Sequence, residues 1–486
     1  MKWMLFSMAC ALGVPTMSVA ALWSDARRWL CAGLVASTVL KVSVNFYSME
    51  LYRGADRGYE VGLTDLFALS MAIGIIGTNF RRVRWVPFNA PVLFALGVFL
   101  CVSTAYAASP LLASFTLFKA AKAGLIYWTV YNYVHLDNDL QGLWWGAVAA
   151  AIVLSCTVAW QKYGQGLYRP HGTFDHSNTI PAYCLMLIPF LLAWLLHARQ
   201  HPWKLGLSLG ALMGLCFSVV ATLSRAGAAA MGGAIVSVLL YGLIRQPLNQ
   251  RRAAVAALLG VCLLIGVAKS SDTLIERFLH APEASHRARD EFNVAAGMMA
   301  RDHLFGVGLN CFSRVLTDTP RYRDHVEVMK NEEQAGVCHH IYWLTVAETG
   351  WLGASLFGLA ILRFWARLLR PGLAGAAFSQ LILLSMAVGI FAVHLIGLYE
   401  WVLRITPVFH LFVIVTGISV ALAERVDLSC PQGKQSWPKW WLRRRARRRH
   451  RPRLDVSPGA LAPAGRMGLT RCQREVRSQW IERRAR

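Results

Sequence analysis

The sequence lacks the cysteine spacing of a structural metal site. Its 11 cysteines include no CxxC pair, and most stand singly within apolar runs, where cysteine behaves as a small apolar residue. We therefore expect no structural zinc site. Cys311 and Cys338 differ because both fall in one long polar segment. If that segment lies outside the cell the two could pair, and the sequence leaves open whether they do.

Acidic residues are also scarce. The chain has 26 Asp and Glu against 50 Lys and Arg, a net charge of +24, and much of the excess lies in residues 437–453. One interpretation of this basic tail is an arm that binds nucleic acid. The other is a cytoplasmic anchor, with Trp437, Trp440 and Trp441 at the membrane interface and arginines on anionic headgroups. We favour the anchor, and expect membrane lipids rather than nucleic acid as partners.

Long polar stretches are few. The hydrophobic fraction is 56% and the mean hydropathy is +0.41, above the range of a soluble domain of this length. Apolar runs near 20 residues predict transmembrane helices, because about 20 residues cross the hydrocarbon core. The predicted spans are 3–22, 29–46, 61–79, 91–107, 112–134, 143–160, 180–197, 204–223, 226–244, 253–268, 341–362, 376–398 and 405–423. We thus expect an all-α polytopic bundle of 12 or 13 spans.

The number depends on the N-terminus. The ending Ser18-Val19-Ala20 imitates a signal peptidase site, but cleavage there would leave Arg27 and Arg28 on the outer side. An uncleaved first span is therefore favoured.

Charge predicts the orientation of the spans. Basic residues cluster at 81–84, 199–204, 245–252 and 363–370, loops that fall on one side when the spans alternate, and the positive-inside rule makes that side cytoplasmic. The domains predicted are N-terminal helices over 1–268, a large periplasmic loop containing helices over 269–340, C-terminal helices over 341–423, and a basic cytoplasmic tail without ordered structure over 424–486. Polar residues inside spans, with no partner assigned, are Asp65, Lys119, Lys122 and His394.

Three segments of the predicted outer face carry notable side chains. Residues 169–178, RPHGTFDHSN, place Arg169 ahead of a helix start, where an anion is favoured, and Asn178 is also a good helix cap. Arg225 lies in a hairpin so short that the side chain must stay at the membrane interface among neighbouring helices, which indicates a functional role. The alternative is an arginine that merely snorkels to the membrane surface. Arg289 lies in the large loop, before the turn Phe305-Gly306-Val307-Gly308. No strand-turn-helix pattern surrounds that turn, so a dinucleotide fold is not supported.

His339 lies at the end of the large loop, on the same predicted face as the three arginines. The combination of arginines with a histidine predicts the chemistry of the site. Arginine clusters suit diphosphate, through charge-assisted and often bidentate hydrogen bonds, and a histidine can take a proton from a hydroxyl nucleophile. The apolar spans would hold a lipid tail. These residues predict attack of a hydroxyl on a sugar that is attached to a lipid diphosphate. A transporter is the competing class, but the two halves show no convincing repeat.

The same motifs resemble the bacterial O-antigen ligase and polymerase superfamily. Its histidine motif, H[NSQ]x9GxxG, is matched by His339, Gly350 and Gly353, although His340 stands where Asn, Ser or Gln is usual. The segment from Arg169 to Asn178 resembles its R-x-x-G-T-F loop, and Ser224-Arg225 resembles its SR hairpin. The region from Arg289 to Gly308 resembles its loop helix and GxG turn, with Asn293 in place of an expected Trp.

The resemblance implies a metal-independent glycosyltransferase of the bacterial inner membrane, with no cofactor. It would move a glycan from undecaprenyl diphosphate to an acceptor hydroxyl on the periplasmic face. His339 would be the catalytic base, Arg225, Arg289 and Arg169 would bind the diphosphate, and His340, Glu348 and Asn178 would support them. An O-antigen ligase acting on lipid A core is favoured. A repeat-unit polymerase and a protein O-oligosaccharyltransferase remain alternatives.

Two acidic residues near the histidine have local interpretations. Glu348 could orient His339 or the substrate, or pair with a polar neighbour between helices. Glu400 and Arg404 are four residues apart near an outer turn, a spacing that predicts an ion pair between them.

Overall fold

A computed structural model describes residues 2–197, 201–245, 250, 252–261, 283–330, 336–374 and 377–429. The predicted tail from residue 430 onward lies outside the described residues, as do positions 262–282 of the predicted tenth span and large loop.

The described residues form a helical bundle with one two-stranded sheet. The helices are α1 (Lys2–Met8), α2 (Val14–Ala20), α3 (Ser24–Ser37), α4 (Leu63–Asn79), α5 (Ala90–Tyr106), α6 (Pro110–Asp137), α7 (Gln141–Ala159), α8 (Thr179–His197), α9 (Pro202–Ala221), α10 (Arg225–Arg245), α11 (Arg252–Val261), α12 (Glu283–Asp302), α13 (Phe312–Asp318), α14 (Pro320–Arg323), α15 (Ile341–Ala374), α16 (Phe378–Ile396) and α17 (Thr406–Ser429). The strands are β1 (Ser43–Ser48) and β2 (Gly58–Gly62). Short π-helical segments lie at Ala9–Gly13 and Trp160–Gly164, and 3-10 turns at Glu327–Lys330 and Val402–Arg404.

Eight helices in the described ranges are long and apolar enough to cross a membrane. This confirms the predicted class, an all-α multi-pass membrane protein, although the number is below the 12 or 13 spans expected. The helices α4 and α5 have only 17 residues each. The 28-residue helix α6 carries Lys119 and Lys122 among its apolar residues, so its composition is less apolar than that of the eight.

The span predicted at 29–46 is wrong. The helix α3 ends at Ser37, and the chain enters β1 at Ser43, which pairs with Gly62 of the antiparallel strand β2. The reason lies in the spacing: Val42, Val44 and Phe46 alternate with polar residues at period two, which favours a strand over a helix.

The lysines of α6 have carboxylate partners in the surrounding elements. Lys119 Nζ donates to Asp56, in the loop between the strands, and to the Arg404 carbonyl oxygen at 2.7 Å. Lys122 Nζ donates to Asp65 Oδ2 of α4 at 2.8 Å. Removing one member of such a buried pair typically costs about 3–5 kcal/mol, because the other charge is left without a partner. Lys119 and Lys122, which interrupt the apolar run of α6, therefore connect α6 to the hairpin and to α4 through ion pairs.

The helix α8 is the centre of the bundle. Its apolar window from Thr179 to Leu196 is completely buried, and it packs against α9, α10, α16 and α17. Gly227 at the start of α10 contacts Pro181 at the start of α8. The Ile341 amide at the start of α15 donates to the Gly397 carbonyl oxygen, just after α16, at 3.0 Å. The beginnings of α8, α10 and α15 and the end of α16 thus meet at one end of the bundle.

The helices of the predicted large loop have a core of their own. Phe292 and Met299 of α12 pack with Phe312 and Leu316 of α13 and with Leu344 of α15. The cluster places α12 beside the start of α15, so Arg289 and His339 approach each other at the same end of the bundle.

Candidate functional site

The loop before α8 is held by one glutamine. Gln161 Oε1 accepts hydrogen bonds from the His171 amide at 3.0 Å and the Gly172 amide at 2.7 Å, and Gln161 Nε2 donates to the Gly172 carbonyl oxygen at 2.8 Å. His171 Nδ1 in turn lies 2.6 Å from the Phe174 carbonyl oxygen. The loop is therefore fixed from within, and it delivers Asn178 to the beginning of α8.

Arg169 joins this loop to the hairpin that follows α9. Its Nη2 donates to Asn178 Oδ1 at 2.6 Å, and its Nε donates to the Thr222 carbonyl oxygen at 3.1 Å. Arg225 follows three residues after Thr222, as the first residue of α10. Arg169 and Arg225, both predicted to bind diphosphate, thus lie in loops that contact each other. The hydrogen bonds of Arg169 also hold the two loops together.

Glu400 is the centre of the site. Its Oε1 accepts hydrogen bonds from Asn178 Nδ2 at 2.6 Å and from Arg289 Nη2 at 2.9 Å, while its Oε2 lies 3.2 Å from His339 Nδ1. Burial alone would raise the pKa of Glu400, but the hydrogen bonds from His339 and Asn178 and the positive charge of Arg289 outweigh burial and hold this pKa below its usual range. Glu400 is therefore ionised at neutral pH.

This carboxylate sets the tautomer of His339. An ionised carboxylate can only accept hydrogen bonds, so the proton of the neutral imidazole lies on Nδ1. Nε2 is then the basic nitrogen, which is the arrangement of a histidine oriented for general-base chemistry. The His339 side chain is 32% exposed while that of Glu400 is 10% exposed, so the imidazole is accessible and the carboxylate that orients it is not.

His340 has a structural role. Its Nδ1 accepts a hydrogen bond from the Trp343 amide at 3.2 Å, which caps the first turn of α15. Asn, Ser and Gln at this position could accept the same bond through a side-chain oxygen, which accounts for the departure from the family motif. Burial lowers the pKa of His340, so the imidazole remains neutral and able to accept.

The GxG turn at Gly306 and Gly308 contacts α15 around Gly350. Gly350 interrupts α15 with φ of 64°, and a Cβ there would lie 2.1 Å from the Leu304 carbonyl oxygen. The amides of Val307 and Gly308 donate to the carbonyl oxygens of Ala347 and Glu348 at 2.9 and 3.0 Å. The GxG turn is therefore docked on the break in α15, and its glycines hold the large loop against the helix that begins after His339.

A cavity of about 310 Å³ opens beside His339. It is lined by His339, Glu400 and Asn178 and, from the loop between β1 and β2, by Arg53 and Arg57. The hairpin thus brings two further cations to the wall of the cavity that His339 lines.

Glu348 and Glu400 have different partners from those that their spacing in the sequence suggests. Arg404 Nη2 donates to Glu348 Oε2 at 2.6 Å, and both side chains are buried. Glu348 therefore pairs with a polar neighbour between helices. The predicted Glu400–Arg404 pair is wrong, because residues 397–401 form a turn rather than a helix, so a spacing of four does not bring these side chains to one face.

Cys311 and Cys338 are free thiols. Cys338 Sγ donates to Asn293 Oδ1 at 3.0 Å, and Cys311 Sγ donates to the Ser109 carbonyl oxygen at 3.5 Å. Asn293, which replaces an expected Trp, therefore fixes the segment just before His339. Burial raises the pKa of both thiols to about 12, so neither is a thiolate at neutral pH.

The arrangement is that of a multi-pass membrane protein in which an oriented imidazole lies beside guanidinium groups. Residues 209–358 match the family model described as O-Antigen ligase, whereas no curated protein matches the chain. The family match confirms the resemblance predicted from the motifs. The match supports the O-antigen ligase superfamily for residues 209–358, and members of that family are enzymes that act on lipid-linked glycans.

Proposed function

We propose that this protein is a bacterial inner-membrane O-antigen ligase, which transfers a glycan from undecaprenyl diphosphate to a hydroxyl of lipid A core on the periplasmic face. The observation that carries the proposal is the bonding of Glu400 to both His339 and Arg289. One carboxylate thus positions the base and a diphosphate-binding cation together.

The chemistry is a single displacement. His339 Nε2 takes the proton of the acceptor hydroxyl as its oxygen attacks the anomeric carbon of the donor sugar. The bond from that carbon to the diphosphate oxygen breaks, and the lipid diphosphate leaves with the electron pair. Attack from the opposite side inverts the anomeric configuration.

The cations act on the leaving group. Arg289 uses one Nη2 hydrogen bond for Glu400, and the remaining N–H groups of its guanidinium are available to phosphate oxygens. Arg225 and Arg169 complete the diphosphate site from the hairpin after α9 and the loop before α8. Negative charge develops on the diphosphate as the bond breaks, and fixed guanidinium groups stabilise that charge. No metal or cofactor is required for any step.

The deciding experiment compares surface glycans of the native bacterium with those of a deletion strain. Loss of the ligase leaves lipid A core without O-antigen while polymer accumulates on undecaprenyl diphosphate. Complementation with the wild-type chain restores the glycan, and complementation with His339→Ala does not. Single repeat units on the core would instead indicate a polymerase, and loss of glycans from proteins alone would indicate a protein oligosaccharyltransferase.

A further inference from the structure

The cavity beside His339 has walls that carry more positive than negative charge. Arg53 and Arg57 of the loop between β1 and β2 line it, and Glu400 is the one carboxylate among the described residues of its wall. The charge of Glu400 is already matched, because this carboxylate forms an ion pair with Arg289 at 2.9 Å. The positive charge that the β-hairpin brings to the wall therefore has no counterpart among the described residues that line the cavity.

Arg57 is the cation that is available to a ligand. Its side chain is exposed and makes no hydrogen bond or ion pair with the described residues. The carboxylates closest to it in the chain have other partners, since Asp56 pairs with Lys119 and Glu60 accepts a hydrogen bond from the Ser43 hydroxyl. A guanidinium group presents five N–H donors and no acceptor, so the chemistry of Arg57 suits an anion.

His176 adds a further donor to the same cavity. Its Nδ1 accepts a hydrogen bond from the Asn178 amide at 3.1 Å, so the proton of the imidazole lies on Nε2. Burial lowers the pKa of His176 despite the nearby charge of Glu400, which keeps the imidazole neutral. The Nε2–H group bonds to no described residue, and His176 lines the cavity together with Arg57. The loop before α8 and the β-hairpin thus bring an imidazole N–H and a guanidinium to one space.

The geometry of the proposed displacement indicates which substrate meets these groups. The attacking hydroxyl and the leaving diphosphate lie on opposite sides of the anomeric carbon. His339, which takes the proton of the hydroxyl, lines the cavity. The three arginines proposed for the diphosphate, Arg169, Arg225 and Arg289, do not line it. A negative charge bound in this cavity therefore belongs to the molecule that carries the hydroxyl.

We propose that Arg57 and His176 bind an anionic group of the acceptor, a phosphate or a carboxylate close to the hydroxyl that is glycosylated. The proposal rests on the proposed function for the identity of the acceptor. Phosphate and carboxylate both accept bidentate hydrogen bonds from a guanidinium, so the two groups are separated by experiment. The cavity would then select acceptors by charge as well as by the position of the hydroxyl.

The informative variants are Arg57→Gln, Arg57→Lys and His176→Asn. Arg57→Gln removes the charge, and Arg57→Lys keeps it without the guanidinium fork. His176→Asn keeps a side-chain oxygen for the Asn178 amide, as Asn does in many turns, but has no group in place of Nε2–H. Arg287→Gln is the matched control, since Arg287 is exposed in α12 and lines neither this cavity nor the larger one under the β-hairpin. Thermal unfolding verifies that all the variants are folded.

The measurement uses the full chain in nanodiscs, with lipid A core lacking O-antigen as acceptor and undecaprenyl diphosphate-linked O-antigen as donor. Each substrate is varied while the other is saturating. We expect Arg57→Gln to raise KM for the acceptor by about tenfold, and Arg57→Lys and His176→Asn by about threefold, the effects of a lost charged and a lost neutral hydrogen bond. Unchanged KM for the acceptor in Arg57→Gln and His176→Asn overturns the proposal. An equal shift in Arg287→Gln, or a larger rise in KM for the donor than for the acceptor, also overturns it.

The acceptor itself identifies the anionic group. Treatment with aqueous hydrogen fluoride removes phosphate esters from the core and leaves its carboxylates. If the group is a phosphate, the treated acceptor has a raised KM with the wild type, and Arg57→Gln raises it no further. If the group is a carboxylate, the tenfold effect of Arg57→Gln persists with the treated acceptor.

A binding assay separates this proposal from the proposed function. Radiolabelled core oligosaccharide is equilibrated with the wild type and with Arg57→Gln in the absence of donor. If the wild type transfers nothing while Arg57→Gln weakens binding of the core, the cavity assignment stands and the proposed reaction fails. If transfer proceeds while the variants leave binding and KM unchanged, the cavity assignment alone fails. A wild type that neither binds the core nor transfers to it overturns both.

Discussion

Glu400 Oε2 lies 3.2 Å from His339 Nδ1, although 61 residues separate the two in the chain. The contact is possible because the turn after α16 lies beside the start of α15, where the Ile341 amide donates to the Gly397 carbonyl oxygen at 3.0 Å. The direction in which the imidazole faces is therefore set by packing of two helices and not by the histidine motif itself.

Replacing Glu400 by Gln should reduce kcat for glycan transfer by about 100-fold or more. Asn178 and Arg289 both donate to Oε1, so they would fix the amide oxygen of Gln there and leave its NH₂ facing His339. That group donates to Nδ1, which moves the imidazole proton to Nε2 and removes the base. Steady-state transfer in nanodiscs checks the effect. Glu424→Gln, which changes a carboxylate bonded to Tyr131, is the control, and an equal loss there would refute the assignment.

Replacing Arg289 by Lys should raise KM for the lipid-linked donor by about tenfold. A lysine ammonium keeps the charge but lacks the guanidinium fork, so it does not bond Glu400 and phosphate in the same geometry. Donor titration at saturating acceptor measures the change. Arg301→Lys, near the end of the same helix, should behave as wild type. An unaltered donor KM in Arg289→Lys would remove this residue from the diphosphate site.

Replacing Gly350 by Ala should lower the melting temperature and the yield of folded protein. The new Cβ would lie 2.1 Å from the Leu304 carbonyl oxygen, at a φ of 64° that side chains rarely adopt. Gly358→Ala is the matched control on the same helix, since a Cβ there meets nothing within 4 Å, and it should raise stability by about 0.5–1 kcal/mol. Thermal unfolding in detergent compares them, and equal melting temperatures would contradict the docking of the GxG turn.

The stability of the fold should depend on pH through His340. Burial lowers its pKa in the folded protein, so the unfolded chain binds more protons in the interval between that value and the ordinary value of about 6.5. The free energy of unfolding therefore has its full value above pH of about 6.5. It decreases as pH falls through that interval, because the unfolded chain takes up the proton first. His340→Asn keeps a cap acceptor without a titrating group, so its melting temperature should fall less than that of the wild type between pH 7.5 and 5.0. Parallel curves would refute this role.

Treatment with a chelator should leave the transfer rate unchanged. In the proposed reaction the positive charge at the leaving group comes from guanidinium groups, which a chelator does not remove. Transfer is measured before and after dialysis against EDTA, with the free metal content recorded. A loss that added Mg²⁺ restores would contradict the metal-free reaction.

The sequence allowed most of the helices to be predicted, because their apolar runs are long and uninterrupted. It failed at 29–46, where apolar residues at period two follow a helix. It also gave no partners for Lys119 and Lys122 of α6, because their carboxylates, Asp56 and Asp65, are distant in the chain. The arginines and His339 stood out by residue type alone. Their roles at the diphosphate and at the acceptor hydroxyl are predictions.

Glu400 and the hairpin arginines were not predicted for a physical reason. Glu400 bonds to residues that lie 222, 111 and 61 positions away, and nothing local distinguishes it from a surface carboxylate. The only local signal, its spacing from Arg404, indicated the wrong partner. Arg53 and Arg57 lie in a hairpin whose first strand was predicted as part of a helix, so their position beside His339 could not be predicted.

The position of Glu400 limits how this site can be transplanted. The matched domain ends at residue 358, so it contains His339, Arg225 and Arg289 but neither Glu400 nor Asn178. A chimera that received residues 209–358 alone would inherit a histidine whose orientation depends on the recipient. Exchange of activity between related chains should therefore require the turn after α16 and the loop before α8 to be moved together with the domain.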